Sequence, residues 1–281
     1  MTGLNPNPLP RPFASSAENA GSDQEQAEAR TLTRTVIEEL KETAAVIAIA
    51  LLLVLVLRSL LFQPFTIPSA SMEPTLYEGD YIIISKWNYG YSKYSLPVTL
   101  PFLKGRLFGT APTRGDVVVF KLPGDNKKDL IKRVIGLPGD RVQMRHNQLF
   151  VNDSPVPATR VGLVHANDAK FFNGTDTATE YSETLPGGRP HLMQDMVEDG
   201  AVDDTEVFVV PAHHYFMMGD NRDNSEDSRF PMSTGGVDMV PEENLEGPAK
   251  LVLLSWKQGA SLWKPWTWLN VRPDRFFKPI K

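Results

Sequence analysis

The stretch DLIKRVIGLPGD, residues 129–140, has the pattern of a buried strand that ends in a tight turn. Apolar and β-branched residues fill its centre, and Pro138 and Gly139 close it, which is typical of strands bounded by turn residues. Similar runs recur along the chain at 80–85, 115–123, 141–153, 207–221 and 249–256. The sequence therefore predicts a mainly β protein with many short strands.

Composition excludes several classes of function. The net charge of −5 over 281 residues gives no general basic surface, so a nucleic-acid partner is not expected. The chain has no cysteine, which excludes disulfides, cysteine metal sites and a thiol nucleophile.

An apolar segment precedes the strands. The run AAVIAIALLLVLVL (44–57) carries no charge, and residues 43–62 as a helix are about 30 Å long, enough to cross a bilayer. A cleaved secretory signal and a buried core helix are the alternatives, but about 40 mostly polar residues come first and the run is uniformly apolar. Basic residues on its amino-terminal side favour a cytoplasmic amino terminus, although others follow the run.

These patterns predict four regions. Residues 1–30 read as a flexible cytoplasmic tail, and residues 31–62 as a helix that includes one transmembrane span. Residues 63–150 and 207–281 form a catalytic β domain, and the polar residues 151–206 form an inserted β or loop region. The expected fold is an antiparallel, barrel-like β domain with a second β region inserted into it, preceded by the helix.

The segment TIPSASMEPTL (66–76) has two interpretations. Small residues at Ser69 and Ser71 fit the small-x-small pattern of a secretory cleavage site, or the close approach that a nucleophile needs. The G-x-S-x-G, H-E-x-x-H and P-loop motifs are all missing from the sequence. The run GDNRDNSEDSR (219–229) fits no EF-hand register and reads by itself as a polar turn, and His213 and His214 have no evident catalytic partner.

Lys132 is a candidate general base. Strand alternation places Lys132 and Arg133 on opposite faces, so one of the two cations points toward the core. Lys132 is then either a lysine whose amine reaches water, or a buried lysine whose pKa falls by about 3 units and which accepts the proton of a serine.

Four segments in this order, PSASMEPTL, RGDVVVF, LIKRVIGLPGD and GDNRDNSEDSR, resemble the conserved boxes of bacterial type I signal peptidases (leader peptidases), and the apolar span before the first box matches too. By that resemblance Ser71 is the nucleophile and Lys132 its general base, while Ser69 contributes to the oxyanion hole beside the backbone N–H of Ser71. Ser225 orients the lysine amine. The remaining matches are a supporting ion pair, Asp227 and Arg229; substrate-pocket residues, Ile67, Met72, Leu76 and Ile131; and structural positions, Asp220, Arg222 and Asn224.

The resemblance implies a membrane-bound serine endopeptidase that uses a Ser-Lys dyad and needs no metal or cofactor. It would remove signal peptides from exported preproteins after small-x-small (Ala-x-Ala-like) sequences. It implies a single-pass protein of the bacterial cytoplasmic membrane with its catalytic domain on the outer, periplasmic face, whose partners are secreted preproteins, the bilayer and the export machinery. The alternatives are a membrane-tethered β-barrel binding module without catalysis and a self-cleaving Ser-Lys protease.

Overall fold

A computed structural model describes residues 16–95, 105–165, 177–197, 200, 202–257, 259–260 and 264–281, and for residues 16–32 and 59 it describes the backbone only. The chain divides into two compact units, Met1–Leu55 and Val56–Lys281. Parts of the expected tail and of the expected insert therefore lie outside the described residues.

The helix α1 spans Ser16–Leu60. Its segment Thr33–Arg58 has a mean hydropathy of 2.4 and none of that window is buried, so by length and composition it is a candidate membrane span. The helix begins earlier than the expected residue 31, because residues 16–30 are rich in the good helix formers Ala, Glu and Gln. It ends at Leu60, and Phe62, which the apolar run had placed in the helix, begins the first strand.

Fifteen strands follow in the described residues. They are β1 (Phe62–Thr66), β2 (Asp80–Ser85), β3 (Val117–Lys121), β4 (Asp129–Gly136), β5 (Arg141–Arg145), β6 (Gln148–Val151), β7 (Ser154–Pro155), β8 (Ala158–His165), β9 (Thr177–Thr184), β10 (Pro190–Asp195), β11 (Phe208–Val209), β12 (His214–Met218), β13 (Val240–Pro241), β14 (Leu245–Ser255) and β15 (Lys278–Pro279). The chain is thus mainly β, as the strand pattern predicts.

The strands form three antiparallel sheets. The main sheet has the order β1-β2-β14-β3-β4-β12-β13, with β15 paired to β14. A four-stranded sheet has the order β11-β5-β6-β7, and a three-stranded sheet has the order β10-β9-β8. The β5–β6 hairpin, expected in the catalytic domain, therefore lies in a separate sheet, so the second β region begins at Arg141 instead of residue 151.

Strand β3 lies at the centre of the main sheet and is buried on both faces, which explains its unbroken run VVVF. Val117 and Val119 pack into one apolar cluster, whereas Val118 and Phe120 pack into another. Strand β4 pairs with β3 so that Lys132 lies opposite Val118 and Arg133 opposite Val117. The pairing fixes which cation lies on which face.

Candidate active site

Ser71 and Lys132 meet in one cavity. The Lys132 Nζ donates to the Ser71 Oγ across 2.5 Å. Only 4% of Lys132 and 9% of Ser71 is exposed. Both residues line a cavity of about 480 Å³ that is open to the surface. The geometry brings a hydroxyl and an amine within the reach that proton transfer needs.

Burial lowers the pKa of the Lys132 amine from 10.5 to about 8. The negative charge of Asp227 opposes this shift, while the positive charge of Arg229 adds to it. A substantial fraction of the amine is therefore neutral just above neutral pH, and a neutral amine can accept a proton. The burial of Lys132 therefore supports the second of its two interpretations, a buried lysine with a lowered pKa, over a lysine whose amine reaches water.

Ser71 lies on the connection between β1 and β2. The Ile67 N–H donates to the Asp80 carbonyl at 2.9 Å and the Gly79 N–H donates to the Ile67 carbonyl at 3.0 Å, which closes the base of this loop. Gly79 has a φ of +89°, and a Cβ there would lie 2.3 Å from the Trp256 carbonyl oxygen. Only glycine fits this position. The two backbone bonds and the close packing of Gly79 against Trp256 therefore fix the base of the loop that carries Ser71.

Ser69 is exposed at the mouth of the same cavity. Its Oγ lies 3.5 Å from the Ser71 Oγ. A hydroxyl at this distance can turn toward an oxygen that forms on a carbonyl attacked by Ser71.

The polar run 219–229 supplies the opposite wall. Asp227 and Arg229 form a buried pair in which Nε and Nη2 each donate at 2.9 Å to a carboxylate oxygen. Ser225 lines the cavity, but its Oγ has no hydrogen-bond partner among the described residues. The expected bond from Ser225 to the Lys132 amine is therefore not formed in this structure, and its role stays a prediction.

The expected pocket residues separate into two groups. Ile67 and Ile131 line the cavity. Met72 and Leu76 have no exposed surface and belong to the same apolar cluster as Ile67 and Ile131. They support the loop from within the core.

Sequence reasoning missed several residues of the cavity wall. They are Phe65, Thr66, Pro68, Val119, Lys128, Asp129, Leu130, Asp223, Glu226 and Phe230. Period-2 spacing could have found Phe65 from Ile67 and Asp129 from Ile131. Val119 faces Ile131 across the β3–β4 pair, and that register is a tertiary feature.

Arg133, the neighbour of Lys132, makes a buried ion pair behind the nucleophile loop. Its Nε and Nη2 donate to the two oxygens of Asp220, each at 2.7 Å. Thr75 from the nucleophile loop donates to the same carboxylate at 2.5 Å. Both adjacent cations are thus buried, although alternation predicted only one toward the core.

His213 and His214 take no part in this cavity. His213 lies in a left-handed turn with a φ of 59°, and its mostly exposed side chain is 3.1 Å from Glu242. Neither His213 nor His214 lines the cavity. Among the described residues no group of three His, Asp or Glu side chains could hold a metal ion.

Comparison with known proteins gives consistent matches. A family described as "Signal peptidase, peptidase S26" matches residues 40–256, a range that contains the whole cavity wall. The Signal peptidase I of Rickettsia canadensis (strain McKiel) is 38% identical over 277 residues, covering 91% of this chain and 98% of that protein. The Signal peptidase I of Rickettsia typhi (strain ATCC VR-144 / Wilmington) is 37% identical over 268 residues, covering 88% and 95%. A crystal structure of a signal peptidase I from Enterococcus faecalis V583 matches 50% of this chain and 97% of its own at 25% identity, with a TM-score of 0.28 that supports no structural conclusion.

Proposed function

Since the chain belongs to the signal peptidase family, peptidase S26, and is a serine endopeptidase that removes signal peptides, we propose that Ser71 and Lys132 form its catalytic dyad. The observation that carries the proposal is the 2.5 Å contact between the Ser71 Oγ and the Lys132 Nζ inside the cavity. Because the chain belongs to this family, the two alternative interpretations, a non-catalytic binding module and a self-cleaving protease, are set aside.

In the first step the neutral Lys132 amine accepts the Ser71 proton while the Ser71 Oγ attacks the scissile carbonyl. The protonated amine then gives that proton to the leaving amine of the mature protein, which leaves an acyl-enzyme on Ser71. In the second step Lys132 takes a proton from a water molecule, and the hydroxide equivalent attacks the ester. The proton returns to the Ser71 Oγ as the signal peptide is released with a free carboxylate.

The oxyanion that forms in each step needs donors. The Ser69 hydroxyl and the Ser71 N–H are the two proposed donors, and the 3.5 Å between the two serine oxygens keeps Ser69 within reach of the reacting carbonyl. Loss of one such donor typically costs about 3–4 kcal/mol of transition-state stabilisation.

Two open strand edges support an extended substrate. β1 is the terminal strand of the main sheet, and β12 pairs with β4 only from Arg133 onward among the described residues. Thr66 and residues 129–131 both line the cavity, so a peptide between them can add main-chain hydrogen bonds to either edge. Ile67 and Ile131 narrow the wall near Ser71, which favours small side chains such as Ala at the cleavage site.

The candidate span Thr33–Arg58 supports attachment to the cytoplasmic membrane by a single helix. We place the amino terminus in the cytoplasm and the catalytic unit on the outer face, because basic residues flank the amino-terminal side of the span. A membrane-held enzyme then meets membrane-held preproteins at high local concentration. The secreted preproteins are its substrates, and the export machinery is a proposed partner.

The test is cleavage of a preprotein with an Ala-x-Ala site by the purified full-length chain in detergent. Ser71→Ala is expected to abolish cleavage without changing the circular dichroism spectrum. Ser154→Ala, an exposed serine of β7, is the matched control and is expected to keep full activity. Near-normal turnover by Ser71→Ala would remove Ser71 from the mechanism.

A further inference from the structure

The inserted three-stranded sheet reaches the catalytic region through the end of β10. The Gln194 N–H donates to the Asp220 carbonyl at 2.8 Å, and the Arg222 N–H donates to the Gln194 carbonyl at 2.9 Å. Gln194 and Asn221 form a parallel bridge at this point. The insert therefore extends its hydrogen bonding onto residues 220–222.

The same residues face the nucleophile loop on their other side. The Asn221 N–H donates to the Ser71 carbonyl at 3.2 Å, and the Asn221 side-chain amide donates to the Ala70 carbonyl at 3.3 Å. A Cβ on Gly219 would lie 2.5 Å from the Ser71 carbonyl oxygen, so the two segments are in close backbone contact. Residues 219–222, which we call the bridging layer, thus lie between the insert and Ser71.

A buried charged cluster fixes the bridging layer to the insert. The Arg222 Nη2 donates to the Glu183 Oε2 of β9 at 2.5 Å, and the His191 Nε2 of β10 is 3.3 Å from the same oxygen. All three side chains are buried. Burial acts to raise the pKa of Glu183, but the charge of Arg222 and the neighbouring His191 imidazole outweigh it and hold the pKa at about 2. The carboxylate is therefore ionised throughout the working pH range.

Arg222 also connects to the far wall of the cavity. Its carbonyl accepts a hydrogen bond from the Arg229 guanidinium, which in turn pairs with Asp227. Arg222 thereby contacts the insert by its side chain and the Asp227 pair by its backbone, next to the residue that contacts Ser71.

We propose that Glu183 is a positioning residue, which holds Arg222 and so keeps the bridging layer pressed against the nucleophile loop. The inserted sheet then helps to set the distance between Ser71 and Lys132. The inference rests on the proposed dyad and gives a catalytic purpose to a part of the chain that contributes no side chain to the cavity wall in the described residues. Glu183 touches neither member of the dyad and acts through Arg222 and Asn221.

The first experiment compares Glu183→Gln, Glu183→Asp and Glu180→Gln in the full-length chain. Glu183→Gln removes the charge at nearly constant volume, and kcat for an Ala-x-Ala preprotein is expected to fall by about 10- to 100-fold, because misplacement of a reacting group by about 1 Å has effects of this size. KM is expected to stay within about threefold, since the cavity wall is unchanged.

Glu183→Asp keeps the charge and is expected to recover part of kcat. Glu180→Gln, on the same strand but only half-buried, is the control and is expected to match the parent.

The second experiment is hydrogen exchange, which separates positioning from global stability. In Glu183→Gln the Asn221 amide, which donates to Ser71, is expected to lose protection, while the amides of β3 keep theirs. If Glu183→Gln does not fold, the parent chain itself provides the test, because the Gln194 and Asn221 amides are expected to exchange as one cooperative unit.

The inference is overturned if Glu183→Gln lowers the melting temperature but leaves kcat unchanged, or if only KM rises. It is also overturned if Gln194 and Asn221 exchange independently in the parent. A Ser71→Ala variant that still cleaves would instead reject the proposed dyad, so the two failures are distinguishable.

Discussion

Lys132 and Ser71 are 61 residues apart in the chain, yet the lysine Nζ lies 2.5 Å from the serine Oγ. The lysine comes from a central strand that is hydrogen-bonded on one side to β3, whereas the serine comes from a loop between two other strands. Their proximity therefore depends on the whole main sheet, and their chemistry depends on the burial of the amine.

The pH dependence of cleavage follows from the lowered pKa of Lys132. Because the base must be neutral, kcat/KM is expected to rise with pH and to level off above about 8, the pKa of the buried amine. The measurement is a pH–rate profile on a preprotein whose own ionisation does not affect cleavage. Lys132→Arg is expected to be inactive at every pH, because a guanidinium does not lose its proton. Substantial activity in that variant would contradict the neutral-base mechanism.

Removal of the Lys132 amine is expected to stabilise the folded protein, although it abolishes cleavage. In the folded protein the pKa of Lys132 is about 8, whereas a solvated lysine in the unfolded chain has a pKa of 10.5, so between these values the unfolded chain binds more protons and stability rises with pH. Below about pH 8 the cost is complete, roughly 3 kcal/mol, and the lost bond to Ser71 offsets about 1 kcal/mol of it. Lys132→Met should thus raise the free energy of unfolding at pH 7 by about 2 kcal/mol.

Urea unfolding of both chains at pH 7 and pH 10 checks this expectation. The advantage of the methionine variant should shrink at the higher pH, because the parent no longer has to bury a charged amine. A methionine variant that is less stable than the parent at pH 7 would mean that Lys132 is charged and well paired in the folded state.

The strand pattern was readable from the sequence because it is local. β2 occupies residues 80–85, as its β-branched run indicates, and β4 begins at Asp129 as expected. The break inside 207–221 was not foreseen, because the left-handed turn at His213 gives no strong local signal. The assignment of the β5–β6 hairpin to a second sheet depends on long-range pairing with β11, which periodicity does not report.

The same distinction, between local features that the sequence reports and long-range features that it does not, applies to the candidate active site. The four motifs named Ser71, Lys132 and Ser69, and the structure brings these three to one cavity. The pairing of Arg133 with Asp220 was not predicted, because alternation directs Arg133 away from Lys132 and Asp220 lies 87 residues further along the chain. The link between Glu183 and Arg222 is equally invisible in the sequence, since it joins an inserted strand to a polar turn.

A substitution of Ser225 is expected to affect catalysis and stability differently. Its buried hydroxyl has no partner among the described residues, and a buried hydroxyl without a hydrogen bond destabilises a protein by about 1–3 kcal/mol. Ser225→Ala is therefore expected to leave the free energy of unfolding unchanged or to raise it by about 1 kcal/mol. If Ser225 orients the Lys132 amine during the reaction, the same variant should lower kcat by about 10-fold or more.

The pair of measurements is denaturant unfolding and steady-state cleavage on the same preparation. Ser225→Thr keeps the hydroxyl and serves as the matched variant. Full activity in Ser225→Ala would remove Ser225 from the mechanism, and a marked loss of stability would mean that its hydroxyl is bonded in solution.

The buried Arg133–Asp220 pair should matter far more to stability than an exposed pair of the same type. Asp220→Asn leaves the Arg133 side chain, which is only 2% exposed, without its counter-charge, and breaking such a pair from one side costs about 3–5 kcal/mol. Asp153→Asn removes the partner of Arg141 where both side chains are at least half exposed, and it should cost less than about 1 kcal/mol. Denaturant unfolding at neutral pH compares the two variants.

Because Asp220 also accepts from Thr75 of the nucleophile loop, the loss should extend to kcat in Asp220→Asn and not in Asp153→Asn. Equal, small effects of the two variants would mean that water reaches the Arg133 guanidinium, and the loop would then be held by its backbone bonds to Asn221 instead.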